Sequence, residues 1–148
     1  RDSYNVNNEG SSDMYYKGSN MIHMLRQLTK DDEKWRQILR KMNSKFYHQT
    51  VTTQQIENFL SREIGRDLNP FFNQYLRDTR IPVLEYKITE GKLNYRWNNV
   101  VSGFDMPVEI AGKQRTFWIY PRESWNAIAF VDSEIKVDIN YYVKTKQL

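Results

Sequence analysis

The chain contains no cysteine among its 148 residues. Disulfides, thiolate zinc sites and a cysteine nucleophile are therefore excluded, but the compartment stays open because many exported proteins also lack cysteine. No apolar run approaches the roughly 20 residues of a membrane-spanning helix. The polar amino-terminal stretch also lacks the hydrophobic core of a signal peptide. We therefore expect a soluble, globular chain without a membrane span.

The sequence also has no long block of one charge. Its 22 Lys and Arg stand against 18 Asp and Glu, and the two signs are interspersed along the chain, with a net charge of +4. Without a basic block, nucleic acid is not expected as a partner. Hydrophobic residues make up 39% and charged residues 27%, as in ordinary globular proteins. The length suits one domain or two small ones.

Residues that could build a complete active site are few. The only two histidines, His23 and His48, fall on different predicted helices, and no Glu stands at the spacing of a helical His-Glu-x-x-His zinc site. No serine lies in a Gly-x-Ser-x-Gly turn, and glycine-rich phosphate loops are lacking. Asp31 and Asp32 are explained as favourable charges at a helix amino terminus. We therefore expect no metal site within this chain.

The first half of the sequence shows helical periodicity. Residues 1–13 are rich in turn-forming types and predict a loop. From residue 14 to residue 80 the apolar residues recur three and four positions apart, which predicts four helices. The first helix is expected to begin near Met14, and capping boxes are predicted at the next two helix starts. Their residues are Thr29 with Asp32, and Thr52 with Gln55.

Two further signals bound the later helices. Gly65 stands where the third helix is expected to end, because glycine readily adopts the left-handed conformation of a helix cap. Asn69 followed by Pro70 predicts the start of the fourth helix, since Asn can cap free amides and Pro fits the first turn.

From residue 81 the apolar period changes to two, which is typical of strands. A hairpin is predicted around Glu90-Gly91, with alternating apolar residues on both sides. Further strands are expected later, the last of them over residues 135–143, which makes about six in total. The sequence thus predicts an α+β chain, in which about four helices at 14–80 precede a small antiparallel β-sandwich-like module at 81–148.

Several short segments, in this order, carry a family resemblance. The first is Tyr15-Tyr16-Lys17-Gly18, where a polar loop enters the first helix. The second, Asp67–Leu76, contains two adjacent phenylalanines and a glutamine. The third, Ile81–Leu84, leads into the β module. Phe104–Val108 and Val131-Asp132 fit more loosely.

This ordered series resembles the zinc aminopeptidases of the aminopeptidase N and leukotriene hydrolase family, which are gluzincin metallopeptidases. Their Tyr-x-Lys-Gly element is matched by Tyr15, Lys17 and Gly18. Their Leu-x-x-Phe-Phe-x-Gln-Trp helix is matched over residues 68–75, with Tyr75 where tryptophan is usual. Arg80 and Ile81 occupy the stretch where the family commonly has glycine. The resemblance covers most of the chain from residue 13 onward.

The resemblance implies a fold and a role for each matched residue. The helices would be the end of a thermolysin-like catalytic domain, and Tyr15 would be the catalytic tyrosine that stabilises the oxyanion. Lys17 would orient the loop or pair with a carboxylate, Gly18 would permit a close helix approach, and Tyr16 would serve packing. The zinc ligands and the glutamate base would lie upstream of Arg1.

The full-length parent is accordingly expected to be a zinc hydrolase that removes amino-terminal residues from peptide substrates. The present chain carries the catalytic tyrosine but no zinc ligand, so we expect it to be inactive and free of cofactor alone. It would pack against the upstream catalytic domain. Because it begins with Arg, it is expected to be processed or excised from a longer protein, and export to the periplasm or outside is weakly preferred.

Two alternatives stay open. The aromatic β half could be a non-enzymatic module that presents rings to a carbohydrate or protein partner, the candidates being Trp97, Trp118, Tyr120 and Trp125. The parent could also have kept the fold but lost its zinc site.

Overall fold

The computed structural model describes residues 13–113 and 115–148. The loop predicted for residues 1–13 lies outside the described residues except for Asp13, which already belongs to the first helix. The described chain forms four helices: α1 (Asp13–Thr29), α2 (Asp32–Lys45), α3 (Thr53–Ile64) and α4 (Asn69–Leu76). Seven strands follow: β1 (Val83–Thr89), β2 (Lys92–Asn98), β3 (Val108–Ala111), β4 (Thr116–Ile119), β5 (Asn126–Ala129), β6 (Lys136–Val137) and β7 (Lys144–Gln147).

The start of α2 differs from its prediction. Asp31, not Thr29, caps this helix, because its carboxylate accepts hydrogen bonds from the backbone N–H groups of Glu33 and Lys34. Thr29 is instead the last residue of α1, where its hydroxyl donates to the carbonyl of Arg26 at 2.7 Å. The predicted capping box was therefore wrong, whereas the expected acidic helix start is confirmed.

The third helix follows its prediction at both ends. Thr52 and Gln55 form the reciprocal capping box, and Gly65 ends the helix with a left-handed φ of 84°. At α4 the prediction was wrong in one respect. Asn69 is the first helical residue rather than the cap, and the cap position, Leu68, makes no side-chain hydrogen bond.

The strands form two sheets. Sheet A has the order β5-β2-β1-β7, and sheet B has the order β4-β3-β6. The predicted β1–β2 hairpin is confirmed, and Glu90 and Gly91 at its turn both have positive φ, which matches the twist of a two-residue hairpin loop. All neighbouring strands are antiparallel except β1 and β7, which pair in parallel.

Most of the last predicted strand is not extended in the structure. Of residues 135–143, only Lys136–Val137 form a strand, β6, which pairs with β3 in sheet B, and the next strand, β7 in sheet A, begins at Lys144. Between them the chain turns, with the N–H of Tyr141 bonded to the carbonyl of Asp138. Ile139, which lies in this turn, is 87% exposed.

One hydrophobic core joins the helices to the sheets. Tyr75 of α4 packs edge-on against Phe104, and its hydroxyl donates to the carbonyl of Tyr142 at 3.1 Å. Trp97 of β2 is buried and donates its indole N–H to the carbonyl of Met106. The α+β class is thus confirmed, with four helices before the sheets, while the domain boundary at residues 80 and 81 stays a prediction.

None of the helices in the described part of the chain is long and apolar enough to cross a bilayer.

Candidate functional site

Tyr15 lies in the first turn of α1, two residues after Asp13, where the helix begins. Its side chain is exposed, with 70% of its surface accessible. The opposite side of α1 carries Met21, Met24 and Leu25, which are buried in the core. The helix is therefore anchored by its apolar stripe, and this leaves the Tyr15 hydroxyl accessible to a ligand.

A groove of about 530 Å³ runs along α1 from Tyr15. Three of its lining residues, Ser19, Ile22 and Arg26, follow Tyr15 at intervals of four, three and four positions, which places them on one helical face. Trp35 of α2 contributes a wall. With a rise of 1.5 Å per residue, Tyr15 and Arg26 stand roughly 16 Å apart along the helix axis. The groove is thus an elongated surface with a phenol at one end and a guanidinium at the other.

The Arg26 end of the groove was not expected from the sequence. Its guanidinium forms a two-pronged ion pair with Asp32, with N···O distances of 2.7 and 2.6 Å. The hydrogen bonds from Arg26 lower the pKa of the Asp32 carboxyl. The sequence feature that could have indicated it is the spacing of eleven residues between Tyr15 and Arg26. Eleven residues make about three helical turns and therefore place both side chains on one face of the helix.

Lys17 connects the beginning of α1 to the segment after α4. Its ammonium donates to the backbone carbonyl of Asp78 at 2.7 Å. The Asp78 carboxylate accepts from the side chain and the backbone N–H of Arg80. These bonds, the side-chain ones foremost, lower the pKa of Asp78 to about 2. Lys17 therefore fixes the helix that bears Tyr15 against a loop which is itself held by an ion pair.

The same loop is tied to the β half. Gln74 is completely buried, and its amide donates to the carbonyl of Arg80 at 2.7 Å while accepting from the N–H of Val101 at 2.8 Å. Arg80 also donates to the carbonyl of Val100 at 2.9 Å. The position of α1 at Tyr15 is thus connected through three side chains to the segment between β2 and β3.

The roles expected of Gly18 and Tyr16 stay predictions, because no described element of this chain packs against them. A methyl group at Gly18 would meet no described atom within 4 Å, so no described helix approaches it closely. Tyr16 is 71% exposed and does not pack in the core.

The two histidines lie apart. His23 Nε2 is 2.7 Å from Oδ1 of Asn140 and 3.2 Å from the amide nitrogen of Gln27, which links α1 to the turn after β6. His48 is exposed beyond the end of α2. Over residues 13–113 and 115–148, no group of three His, Cys, Asp or Glu could hold a metal ion.

The four aromatic residues considered for a binding platform do not form one surface. Trp97 is buried with 1% exposure, so its predicted presentation to a partner was wrong. Trp118 in sheet B packs against Tyr141 and lies beneath the ammonium of Lys30, which is 3.9 Å from the ring centroid. Tyr120 and Trp125 are exposed by 55% and 42%.

Comparison with known proteins supports the fold. No family model matches the chain, and no curated protein matches it. Among solved structures, the chain is similar to Legionella pneumophila aminopeptidase A in complex with aspartic acid, with a TM-score of 0.67 and 15% sequence identity. The alignment covers 92% of this chain but only 18% of the aminopeptidase. At this identity the likeness establishes a shared fold.

Proposed function

We propose that this chain is the carboxy-terminal part of a zinc aminopeptidase of the gluzincin type, which hydrolyses amino-terminal residues from peptides. Tyr15 would be its oxyanion-stabilising residue. The observation that carries the proposal is the exposed Tyr15 at the end of an open groove, on a fold similar to that of an aminopeptidase.

The role of Tyr15 follows from the chemistry of a phenol. When a nucleophile attacks a peptide carbonyl, negative charge develops on the carbonyl oxygen, and an aimed O–H donor stabilises that charge. Removing one such donor typically lowers kcat by ~10²–10³. Lys17 would act as a positioning residue, because its bond to the Asp78 carbonyl holds the first turns of α1.

Zinc belongs to the longer protein in this proposal. The described residues offer no cluster of metal ligands, so we assign no ligand and no zinc-dependent step to this chain. Residues outside this chain would hold the zinc, which would supply Lewis-acid chemistry. The peptide would bind between those residues and this chain. The isolated chain is accordingly proposed to be inactive.

The exposed residues along α1 support packing against an upstream catalytic domain. Tyr15, Tyr16 and Ile22 are accessible by 70%, 71% and 43%, which is high for large apolar side chains near a core. Gly18 leaves open space beside them. A second protein surface would therefore contact these accessible side chains of α1.

The decisive experiment compares two phenols in the full-length protein. Tyr15→Phe is expected to lower kcat on an aminoacyl chromogenic substrate by ~10²–10³ while retaining the zinc content. Tyr16→Phe is the matched control, since Tyr16 is equally exposed and removal of its hydroxyl should change kcat less than about twofold. Equal effects of the two substitutions would contradict the assignment of Tyr15.

Two further measurements test the remaining parts of the proposal. The isolated chain should show neither aminoacyl hydrolysis nor stoichiometric zinc by elemental analysis, and zinc-dependent cleavage by it would refute its assignment as an incomplete site. A full-length protein without zinc would favour the alternative of a relative that has lost its metal. Export is also proposed, supported only by the lack of cysteine, and cell fractionation would test it.

A further inference from the structure

One face of sheet A concentrates positive charge. It is the side opposite the core, and we call it the outer face. Alternate residues of β1, β2 and β7 project there, because their neighbours Leu84, Tyr86, Leu93, Tyr95 and Trp97 are buried in the core. The charged residues of the outer face are Glu85, Lys87, Lys92, Arg96, Lys144 and Lys146.

The side-chain contacts confirm that these residues share one side. Lys146 and Arg96 both approach the carboxylate of Glu85, at 3.7 and 2.7 Å. The cationic groups of Lys87 and Arg96 both lie over the ring of Trp125, at 5.5 and 4.7 Å from its centroid. The outer face is therefore a continuous surface from β7 across β1 and β2 to the residue before β5.

The charge of this face equals the net charge of the whole chain. It holds five of the 22 Lys and Arg and one of the 18 Asp and Glu, so the remaining 17 of each sign cancel. This concentration of positive charge is not visible in the sequence, where positive and negative residues are interspersed. It arises because residues two apart on a strand share a face, and because strand pairing makes neighbours of residues that are far apart in sequence. The outer face by itself therefore carries a charge of +4.

Glu85 lies at the centre of this surface and pairs with Arg96 and Lys146, but not with the other lysines of the outer face. It is 4% exposed and accepts hydrogen bonds from Arg96 and from the amide of Asn98. In the described part of the chain, Lys87, Lys92 and Lys144 form no ion pair with a carboxylate. Their ammonium groups therefore remain available to a partner.

Trp125 adds an apolar element at the edge of the same surface. It is 42% exposed although two cations lie over its ring. Tryptophan is enriched where protein meets the headgroup level of a bilayer, because its large ring is apolar and its N–H is polar. An accessible tryptophan beside a lysine-rich face is therefore suited to an interface of lipid headgroups.

We propose that the outer face of sheet A docks on a membrane surface rich in anionic phospholipid. Four of its five cations are lysines, which act as mobile point charges and do not form the rigid two-pronged contacts of arginine. They are spread over one face of a sheet whose strands lie about 4.8 Å apart, and this spread in two dimensions complements an array of headgroups. This docking is independent of the peptidase function proposed above.

Single-stranded nucleic acid is the less favoured polyanion. Its recognition on a sheet relies on several aromatic rings that stack successive bases. The outer face presents one tryptophan, and Arg96 and Lys87 already lie over its ring.

The experiment measures binding of the chain to phosphatidylcholine vesicles with and without 30% phosphatidylglycerol by co-sedimentation. Binding is expected only to the anionic vesicles and should be lost at 1 M salt, where the screening length falls to about 3 Å. The double variant Lys144→Gln with Lys146→Gln should weaken binding about 30-fold, since each cation near an anionic surface contributes about 1 kcal/mol. Trp125→Ala should weaken it severalfold.

Two matched controls distinguish binding through the outer face from binding that depends only on the net charge of the chain. Lys113→Gln with Lys136→Gln removes the same charge from the sheet B region and should leave binding within about twofold. Lys144→Arg with Lys146→Arg keeps the charge on the outer face and should also retain binding. Lys144 and Lys146 are exposed, and Glu85 keeps its hydrogen bonds from Arg96 and Asn98 when Lys146 is replaced, so the unfolding midpoint should change little, which circular dichroism would verify.

Several outcomes would overturn the proposal. These are equal binding to neutral and anionic vesicles, no binding to either, equal weakening by the two glutamine double variants, or tighter binding to a single-stranded oligonucleotide than to the anionic vesicles.

Discussion

Replacement of the buried Gln74 by Met should destabilise the chain strongly, although the two side chains have nearly the same length. Gln74 is 0% exposed and satisfies two backbone groups, the carbonyl of Arg80 and the N–H of Val101. Methionine can donate no hydrogen bond and is only a weak acceptor. Both backbone groups would thus lose their partner.

The magnitude follows from the cost of unsatisfied polar groups, about 1–3 kcal/mol each. Arg80 is exposed and Val101 is partly buried, so water can restore part of the bonding, and the lower half of the range applies. We expect a loss of about 2–4 kcal/mol in the free energy of unfolding. With a slope of about 1–3 kcal/mol per molar urea, the midpoint should fall by roughly 1–2 M.

The assay is equilibrium unfolding in urea, followed by circular dichroism and by tryptophan fluorescence. Gln54→Met is the matched control. Gln54 is exposed on α3 and bonds only to the side chain of Asn58, so its replacement should change stability by less than about 0.5 kcal/mol. A loss below about 1 kcal/mol for Gln74→Met would refute the inference that this amide holds the helical half to the β half.

Two further predictions concern stability at Asp78 and at the start of α3. The pKa of Asp78 is lowered to about 2 by Arg80, below the ordinary value of about 3.9 for Asp, so its contribution to stability is complete above pH ~4 and lost as the pH falls through about 2. Asp78→Asn should therefore flatten the decline of the unfolding midpoint in that window, and an unchanged decline would contradict the ion pair. Thr52→Ala removes the hydroxyl that caps α3 and should cost about 1 kcal/mol, measured by urea unfolding with the exposed neighbour Thr53→Ala as control; equal losses would contradict the cap.

Some features of this chain were predictable because they depend on neighbours in sequence. The capping box of Thr52 with Gln55, the helix end at Gly65 and the hairpin turn at Glu90-Gly91 all occur as expected. Each uses backbone groups within a few residues, so the sequence pattern contains every participant.

The sequence pattern alone could not predict which of two nearby residues caps α2. Thr29 and Asp31 are both capable caps two residues apart. The hydroxyl of Thr29 bonds back to α1, and this leaves the carboxylate of Asp31 to cap α2. The packing of two helices, rather than an intrinsic preference, sets where one ends and the next begins.

The candidate site was also predictable from the sequence only in part. The Tyr-x-Lys-Gly element identified Tyr15 and Lys17 as residues of interest, but its spacing could not reveal that Lys17 bonds to Asp78, 61 positions away. The groove from Tyr15 to Arg26 likewise requires Trp35 from another helix. Contacts between distant segments depend on how the elements pack, which no local period encodes.

The sequence by itself thus determined the α+β class, the four helices, the first hairpin and the residue types available for chemistry, since these follow from local periodicity and composition. Tertiary structure alone decided that Glu85 is buried although it points away from the core, and that only Lys136 and Val137 of residues 135–143 pair in a sheet. It also gathered five cations from three strands onto one face. These outcomes depend on which strands become neighbours, because pairing brings side chains together that are dozens of residues apart.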